Sequence, residues 1–258
     1  MNQKDIERIR RLRPIDDDFF KVYVRPKEVV KEIVDAILMK DNVIQYYETE
    51  AVMKNLSGRT VEFDLYVVTD DDVHINIEVE KSKGRATPKR ARLHSSSLTS
   101  SITYPGQPYE ELQDTYVVFI TEENGLREDI FIHHVERRLS DNSLFNDGDH
   151  IMYVNCQRYD DSQLGMIAHD MLCSNPDDMY NPVLRERARY YKETKEGVRE
   201  MCEIWDEVRE EGIKEGKIEE RLILIKNTMQ SLECSLRKAM EILMLSSDDY
   251  DMYSNMLK

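Results

Sequence analysis

Residues 61–92 read VEFDLYVVTDDDVHINIEVEKSKGRATPKRAR, and this stretch predicts the centre of the fold. Residues 61–68 and 74–80 both alternate between apolar and polar side chains, a period that is typical of half-buried strands. The residues between them, 69–72, form a turn cluster, so we expect an antiparallel hairpin. The apolar positions are Val61, Phe63, Leu65 and Val67 in the first strand and Ile75, Ile77 and Val79 in the second.

The hairpin brings carboxylates together if its turn is centred on Asp71. Asp64 then lies directly across from Glu78, and Glu80 shares their face because side chains repeat every second residue. Facing like charges destabilise a sheet, so such a placement requires water, a shared proton or a bound cation. A solvated outer face is the simplest explanation in an acidic protein. The β-branched partners and the central character of the strands favour a divalent-metal site instead.

A basic run without an acid follows these carboxylates. Cations beside a hard-metal site suit a phosphodiester substrate, because they hold the backbone phosphates while the metal activates a water. The alternative interpretation is a solvated loop and the first turn of a helix, whose positive charges offset the nearby acidic residues. The run consists of Lys81, Lys83, Arg85, Lys89, Arg90 and Arg92.

Pro88 predicts the start of a helix over residues 88–101. On that helix Arg90 and His94 are four residues apart and share a face, whereas Arg92 does not lie on it. One of the two arginines is expected to meet phosphate. For His94 a catalytic role and a structural role are equally supported. The apolar run at 115–121 predicts a buried strand, and strand–helix–strand order predicts a parallel crossover.

Several segments, in the right order over roughly residues 14–205, resemble the Rpn family of recombination-promoting nucleases, also called PD-(D/E)XK nuclease family transposases. The matching segments are DDDFFK (16–21), NIEV (76–79), KRARLHSS (89–96), YEELQDTYVVFITE (109–122), DGDHIMYVN (147–155) and LGMIAHDMLCSNPDDMYNPVLRERARYYKE (164–193).

The resemblance implies an α/β fold with a PD-(D/E)XK restriction-endonuclease-like core, a mixed central sheet flanked by helices. It implies Asp64, Glu78 and Glu80 as catalytic residues, with Asp64, Glu78 and the carbonyl of Val79 holding Mg²⁺ or Mn²⁺. It also implies DNA as the partner, bound through the basic run and His94. The chain departs from the family at Glu80, where the family has Gln and the wider superfamily Lys. Gln or Lys can orient the attacking water or donate a hydrogen bond to phosphate. An ionised carboxylate does neither of these well.

The opening helix of this fold sometimes adds an acid, which makes Glu28 and Glu32 candidates by analogy, although solvent exposure is the simpler expectation. Two other patterns suggest metal binding but are weaker. Adjacent side chains such as His133 and His134 point to opposite faces of a strand, so they do not chelate one ion together. The Asp70–Asp72 turn lacks the spacing and the glycine of an EF-hand loop.

Three segments are expected: a charged leader over residues 1–13, a nuclease-like domain over 14–205, and a helical appendage over 206–258. The appendage is interpreted as a surface for homo-oligomer formation or partner binding, or as a hairpin that folds back on the core. Its EGIKEGKIEE piece (211–220) contains two glycines that each weaken a helix by about 1 kcal/mol.

Composition limits the function classes. The net charge of −15 is unfavourable for DNA binding by bulk electrostatics, so DNA must be bound through local basic patches and metal. The four cysteines have no CxxC spacing and are predicted to be free thiols. The absence of a signal core and of an apolar run that could span a bilayer predicts a cytoplasmic protein without a membrane partner.

Two functions remain open. The first is a metal-dependent DNA endonuclease of the recombination-promoting type. The second is a catalytically degenerate PD-(D/E)XK fold that acts as a nucleic-acid or protein-binding module, favoured by the overall acidity and by Glu80.

Overall fold

A computed structural model describes residues 3–53, 60–123, 126 and 129–257, which form two compact units, Met1–Val198 and Arg199–Lys258. For residues 43–56 the sequence does not decide between strand and helix; residues 44–53 form a strand, and residues 54–56 lie outside the described residues. In the first unit the helices are α1 (Gln3–Arg11), α2 (Asp17–Tyr23), α3 (Lys27–Leu38), α4 (Pro88–Ile102), α5 (Gln163–Met171) and α6 (Pro182–Glu193), and the strands are β1 (Ile44–Met53), β2 (Val61–Thr69), β3 (His74–Glu80), β4 (Thr115–Thr121), β5 (Ile132–Val135) and β6 (Asp149–Asn155). Helix α7 (Lys195–Ser231) begins at the end of this unit, and α8 (Leu236–Ile242) and α9 (Tyr250–Met256) follow in the second unit.

The six strands form one mixed sheet in the order β1-β2-β3-β4-β6-β5. Strands β1, β2 and β3 pair antiparallel, β3, β4 and β6 pair parallel, and β5 pairs antiparallel at the edge. The predicted hairpin and the predicted parallel crossover through α4 are therefore confirmed. With the flanking helices, this is the mixed α/β architecture expected of a PD-(D/E)XK core.

The register of the hairpin is the one that centres the turn on Asp71. Leu65 pairs with Ile77, and Val68 pairs with His74. When this register is continued by one residue from the Leu65–Ile77 pair, Asp64 lies opposite Glu78. The two carboxylates thus leave the sheet at the same level, beside the end of β3.

Strand β3 is more deeply buried than the alternation predicts. Strand β2 shows the expected pattern, but on β3 every residue from Ile75 to Glu80 is buried. The reason is its central position, since β2 and β4 flank it and α2 and α4 both contact it. Polar side chains on β3, including Glu78 and Glu80, are consequently removed from water.

Helix α4 lies where Pro88 predicts it and extends one residue further than expected. Thr87 caps the helix by accepting a hydrogen bond on its side chain from the Arg90 amide at 3.2 Å. The buried face carries Ala91, His94 and Leu98, and it packs against a core cluster that includes Phe63 and Phe119. Because Arg90 is one turn before His94, it is carried to the same face as the predicted acids.

The second unit has a small core of its own, formed by Ile225, Ala239, Met240 and Tyr253. The Ser235 side chain caps α8 by accepting from the Lys238 amide. The predicted boundaries at residues 13/14 and 205/206, and self-association through the C-terminal helices, stay predictions. None of the helices in the described part of the chain combines the length and apolar character that a bilayer crossing requires.

Candidate functional site

Asp64 and Glu78 meet across the β2–β3 hairpin. The Asp64 amide donates to Glu78 Oε1 at 3.4 Å, and the Val79 amide donates to Asp64 Oδ2 at 2.9 Å. Each carboxylate therefore accepts a hydrogen bond from a backbone amide of the opposite strand. The solvated outer face is excluded for this part of the hairpin, because Glu78 is fully buried and Glu80 is only 7% exposed.

The buried charge of Glu78 is balanced from helix α4. Arg90 Nη2 donates to Glu78 Oε2 at 2.8 Å, and His94 Nδ1 lies 3.3 Å from Glu78 Oε1. Arg90 Nε also donates to His94 Nε2 at 3.4 Å. Since a guanidinium can only donate, Nε2 of His94 accepts from Arg90, while Nδ1 also lies 3.0 Å from Nδ2 of the Asn76 amide. The shared helix face of Arg90 and His94 is thus used to bind Glu78.

Glu80 is held beside Glu78 by the same arginine. Arg90 Nη1 donates to Glu80 Oε2 at 3.0 Å, while the Ser82 amide donates to Glu80 Oε1 at 2.9 Å. Arg85 Nε is 3.7 Å from Glu80 Oε2. The guanidinium of Arg90 therefore bridges the two glutamates, with its Cζ 5.6 Å from the centre of the Phe119 ring.

Burial raises the pKa of Asp64 to about 8, and the negative charge of Glu78 acts in the same direction. The hydrogen bond from the Val79 amide and the charge of Arg90 oppose this rise in the pKa, and the charge of Asp17 adds to it. An aspartate in this environment holds a proton near neutral pH unless a cation replaces that proton. The electrostatics of the site therefore favour a bound cation beside Asp64.

A pocket of about 300 Å³ opens in front of these residues. Strand β3 ends at Glu80, so Lys81 no longer follows the alternation of the strand and faces the pocket together with Asp64. Lys81 Nζ also pairs with Asp16 Oδ1 at 2.6 Å. The residues that line the pocket are Ile15, Asp17, Asp64, Val79, Glu80, Lys81, Ser82, Arg85 and Arg90.

Asp17 is a site residue that sequence reasoning missed. It lies in the first turn of α2 and lines the pocket with Asp64, and its side chain is 3.7 Å from Lys21 Nζ one turn later. From the sequence alone, the aspartates at 16–18 indicate only a helix cap. Asp16 does occupy the cap position, but its side chain accepts from the Arg13 amide rather than from the helix. The DDDFFK segment was the available signal, since it is among the segments that resemble the family.

The predicted DNA-binding residues occupy three kinds of position. Lys81, Arg85 and Arg90 line the pocket, and His94 is buried at 4% exposure. The remaining three are exposed on the loop and on the start of α4. Those three are Lys83, Lys89 and Arg92.

The other acids considered from the sequence lie elsewhere. Glu28 is exposed on α3, and Glu32 Oε2 accepts from Asn181 Nδ2 at 2.6 Å. Neither is among the residues that line the pocket.

The two weaker sequence patterns for metal binding place their side chains against different partners or on different faces. In the turn, Asp70 accepts from the Val43 amide at 3.2 Å, Asp71 pairs with Lys40, and Asp72 lies 3.4 Å from His74 Nε2. The three turn carboxylates thus have separate partners. His133 and His134 are consecutive on β5 and point to opposite faces, as expected.

The donor set of the pocket suits a hard divalent cation. Asp64, Asp17 and Glu80 contribute carboxylate oxygens, and hard cations prefer such ligands. In the described part of the chain, however, Asp64, Glu78 and Glu80 do not present oxygens that all lie within 4.8 Å of one another. Asp64 and Glu78 converge, while Arg90 bridges Glu78 and Glu80. The residues around Asp64 therefore fit a metal ion. The guanidinium of Arg90 supplies the positive charge beside Glu78 and Glu80.

Comparison with known proteins gives one match. The model of the PD-(D/E)XK nuclease family transposases matches residues 22–163, which is more than half of the chain and includes Asp64, Glu78 and Glu80. No curated protein matches the chain, and no solved structure matches it. The sheet topology agrees with the family match. The chain belongs to the PD-(D/E)XK nuclease family transposases.

Proposed function

We propose that this protein is a divalent-metal-dependent DNA endonuclease whose reaction takes place in the pocket beside Asp64. The observation that carries the proposal is the pairing of Asp64 with Glu78 at the end of β3, in a site that raises the pKa of Asp64 to about 8. Family membership implies a nuclease type of function with DNA as substrate and a divalent metal. Hydrolysis by this chain, and the choice of Mg²⁺ or Mn²⁺, are the proposed part.

The residues proposed to hold the ion are Asp64, Glu78 and the carbonyl of Val79, and Asp17 is added from the structure because it lines the same pocket. When bound, the ion would lower the pKa of a water and offset charge on the phosphoryl group. Asp64 must give up its proton for this role, and the Val79 amide keeps its carboxylate oriented toward the pocket.

Arg90 has two roles in the proposal. It bridges Glu78 and Glu80, setting one positive charge beside two carboxylates, and its guanidinium lines the pocket. Because guanidinium binds phosphate and carboxylate with the same fork of donors, Arg90 is placed to transfer from the glutamates to a DNA phosphate. His94 Nδ1, at 3.3 Å from Glu78 Oε1, would remain beside Glu78 after such a transfer.

Lys81 offers the hydrogen-bond donor that this chain lacks at position 80, where it has Glu in place of the family's Gln. The strand ends at Glu80, and Lys81 lines the pocket. Arg85, four residues later, also lines it. A lysine ammonium donates to phosphate or to an attacking water, which an ionised Glu80 does not. We therefore assign the role of Gln or Lys in the family to Lys81, with Glu80 held by its hydrogen bond from Arg90.

The second candidate function is a catalytically degenerate module that binds nucleic acid or protein. The bridging of Glu78 and Glu80 by Arg90 favours it, because an arginine already supplies the positive charge of the site. A module of this kind would bind DNA without a metal requirement.

Nicking of supercoiled plasmid by the purified full-length chain, with Mg²⁺ or Mn²⁺, tests the proposal. Cleavage is expected with either ion, and it should be lost with a chelator and in Asp64→Ala. DNA binding without cleavage at any metal concentration would support the degenerate module. Cleavage that persists in both Asp64→Ala and Glu78→Ala would indicate another site or a contaminating nuclease.

A further inference from the structure

A second cluster of metal-ligating side chains lies at the end of α5, at a different position from the pocket described above. It contains an imidazole, a carboxylate and a thiol, from His169, Asp170 and Cys173. One donor atom from each residue lies within 4.8 Å of the other two, and this is the only such group of three in the described residues. His169 and Cys173 are four residues apart, so the turn of the helix brings them to the same side.

The distances between the donor atoms are close to those around a shared ion. His169 Nδ1 lies 2.9 Å from Asp170 Oδ1 and 3.6 Å from Cys173 Sγ. Zn²⁺ bonds of about 2.0–2.3 Å at tetrahedral angles place neighbouring ligand atoms about 3.3–3.7 Å apart. Small movements of three side chains would therefore place all three donors around one ion.

Asp170 retains bonding capacity for such an ion. It is fully buried, and its two oxygens accept from the Tyr180 and Asn181 amides, each at 2.8 Å. Each carboxylate oxygen has two lone pairs, so Oδ1 can bond the Tyr180 amide and still face His169. An ion between Oδ1 and Nδ1 would replace the direct contact of these two atoms, and it would leave the amide bonds of Asp170 intact.

The surroundings make the imidazole a fixed ligand. The Tyr180 ring stacks on His169 with 4.1 Å between the ring centres, and the Tyr159 ring meets it edge-on at 4.9 Å. The His169 side chain keeps 17% of its surface exposed, so an ion can enter from solvent. An ordered imidazole that is open at one edge is a favourable arrangement for binding metal.

We propose that His169, Asp170 and Cys173 form a Zn²⁺ site, distinct from the hard-oxygen site beside Asp64. Thiolate and imidazole ligands select zinc over magnesium, whereas a site lined by carboxylates favours magnesium or manganese. The ion would bind at the end of α5, where Asp170 also accepts from the Tyr180 and Asn181 amides of the loop that leads into α6. Three protein ligands leave one position for a water or another ligand.

The test uses full-length protein with Asp64→Ala and Glu78→Ala already in place, so that the pocket site is removed. After zinc loading and desalting, one Zn²⁺ per chain is expected, and Co²⁺ should give a thiolate-to-cobalt absorption band. Cys173→Ser and His169→Gln are each expected to weaken Zn²⁺ binding at least about tenfold, because each removes one ligand. Cys234→Ser, a thiol in the second unit, serves as the matched control and should leave binding unchanged.

Thermal unfolding with and without Zn²⁺ shows whether a variant that loses binding is still folded. A stabilisation by Zn²⁺ that is present in the parent and absent in both ligand variants supports the site. The proposal is overturned if the parent retains no Zn²⁺, or if the cobalt band survives in a folded Cys173→Ser protein. Equal loss of the band in Cys234→Ser would also overturn it.

Discussion

Arg90 donates to Glu78 at 2.8 Å from the adjacent helix, and Glu78 is fully buried at the centre of the sheet. The same guanidinium reaches Glu80 at 3.0 Å. A single arginine thus decides the charge balance of two glutamates, in a chain whose net charge is −15. The consequences for stability, metal binding and catalysis can be separated by mutation.

Replacing Arg90 by Met is expected to destabilise the protein by about 3–5 kcal/mol, because it leaves the Glu78 carboxylate buried without its counter-ion. Urea unfolding at neutral pH measures the change. Arg92→Met is the matched control, since Arg92 is exposed on the same helix and should change the free energy of unfolding by about 0.5 kcal/mol or less. If Arg90→Met and Arg92→Met are equally stable, the Arg90–Glu78 pair contributes nothing to the fold.

Asp64→Asn and Glu78→Gln should each lower metal-dependent nicking at least about 100-fold, because several kcal/mol of metal-derived stabilisation depend on these ligands. Glu62→Gln, an exposed position on the same strand, should keep the parent rate. Rates are compared at saturating Mn²⁺ with each variant shown to be folded. A Glu78→Gln protein as active as the parent would remove Glu78 from the ligand set.

Lys81→Met is expected to lower the cleavage rate about tenfold, through loss of one charge-assisted hydrogen bond worth about 1.4 kcal/mol. Lys83→Met, two residues along the same loop, should have a much smaller effect because Lys83 is not among the residues that line the pocket. Single-turnover cleavage separates the rate from DNA affinity. Equal effects of the two substitutions would show a general contribution of the basic run rather than a specific role for Lys81.

Glu80→Gln restores the family residue and should raise the cleavage rate, because a neutral amide can donate to the phosphate or to the attacking water. The side chain keeps its size, so the bond from the Ser82 amide to the oxygen at this position can be retained. The same assay, run beside Glu80→Ala, distinguishes a gain from the amide from a simple loss of charge. An unchanged rate in Glu80→Gln would show that position 80 has no part in the chemistry.

The raised pKa of Asp64 predicts how the stability of the metal-free protein changes with pH. The ordinary pKa is 3.8 and the folded value is about 8, so the folded chain holds the proton more tightly than the unfolded chain. The resulting stabilisation is fully present below pH 3.8 and is lost as the pH rises to about 8. Asp64→Asn should therefore gain stability relative to the parent across this window.

Chemical unfolding in EDTA at pH 4.5, 6 and 8 measures this difference, and Glu62→Gln serves as the exposed control. A difference between Asp64→Asn and the parent that stays constant with pH would contradict a raised pKa at Asp64. Above pH 8, Mn²⁺ should raise the free energy of unfolding of the parent, because the ion takes the place of the proton on Asp64. The same ion should stabilise Asp64→Asn less.

The local sequence was sufficient for the hairpin, its register and the start of α4. A period of two is a property of neighbouring side chains, and a turn centred on Asp71 sets Asp64 against Glu78 by counting alone. The proline at position 88 and the four-residue spacing of Arg90 and His94 likewise depend only on local geometry. The family was also recognisable from short segments in the right order.

Tertiary structure decided what surrounds the acids. The burial of both faces of β3 depends on β4, which is distant in the chain, and on helices α2 and α4. The approach of Asp17 to the pocket, and the bridge that Arg90 makes between Glu78 and Glu80, arise from the packing of helices against the sheet. Sequence spacing fixes which residues share a face, but the partners of a buried charge are set by contacts between elements far apart in the chain.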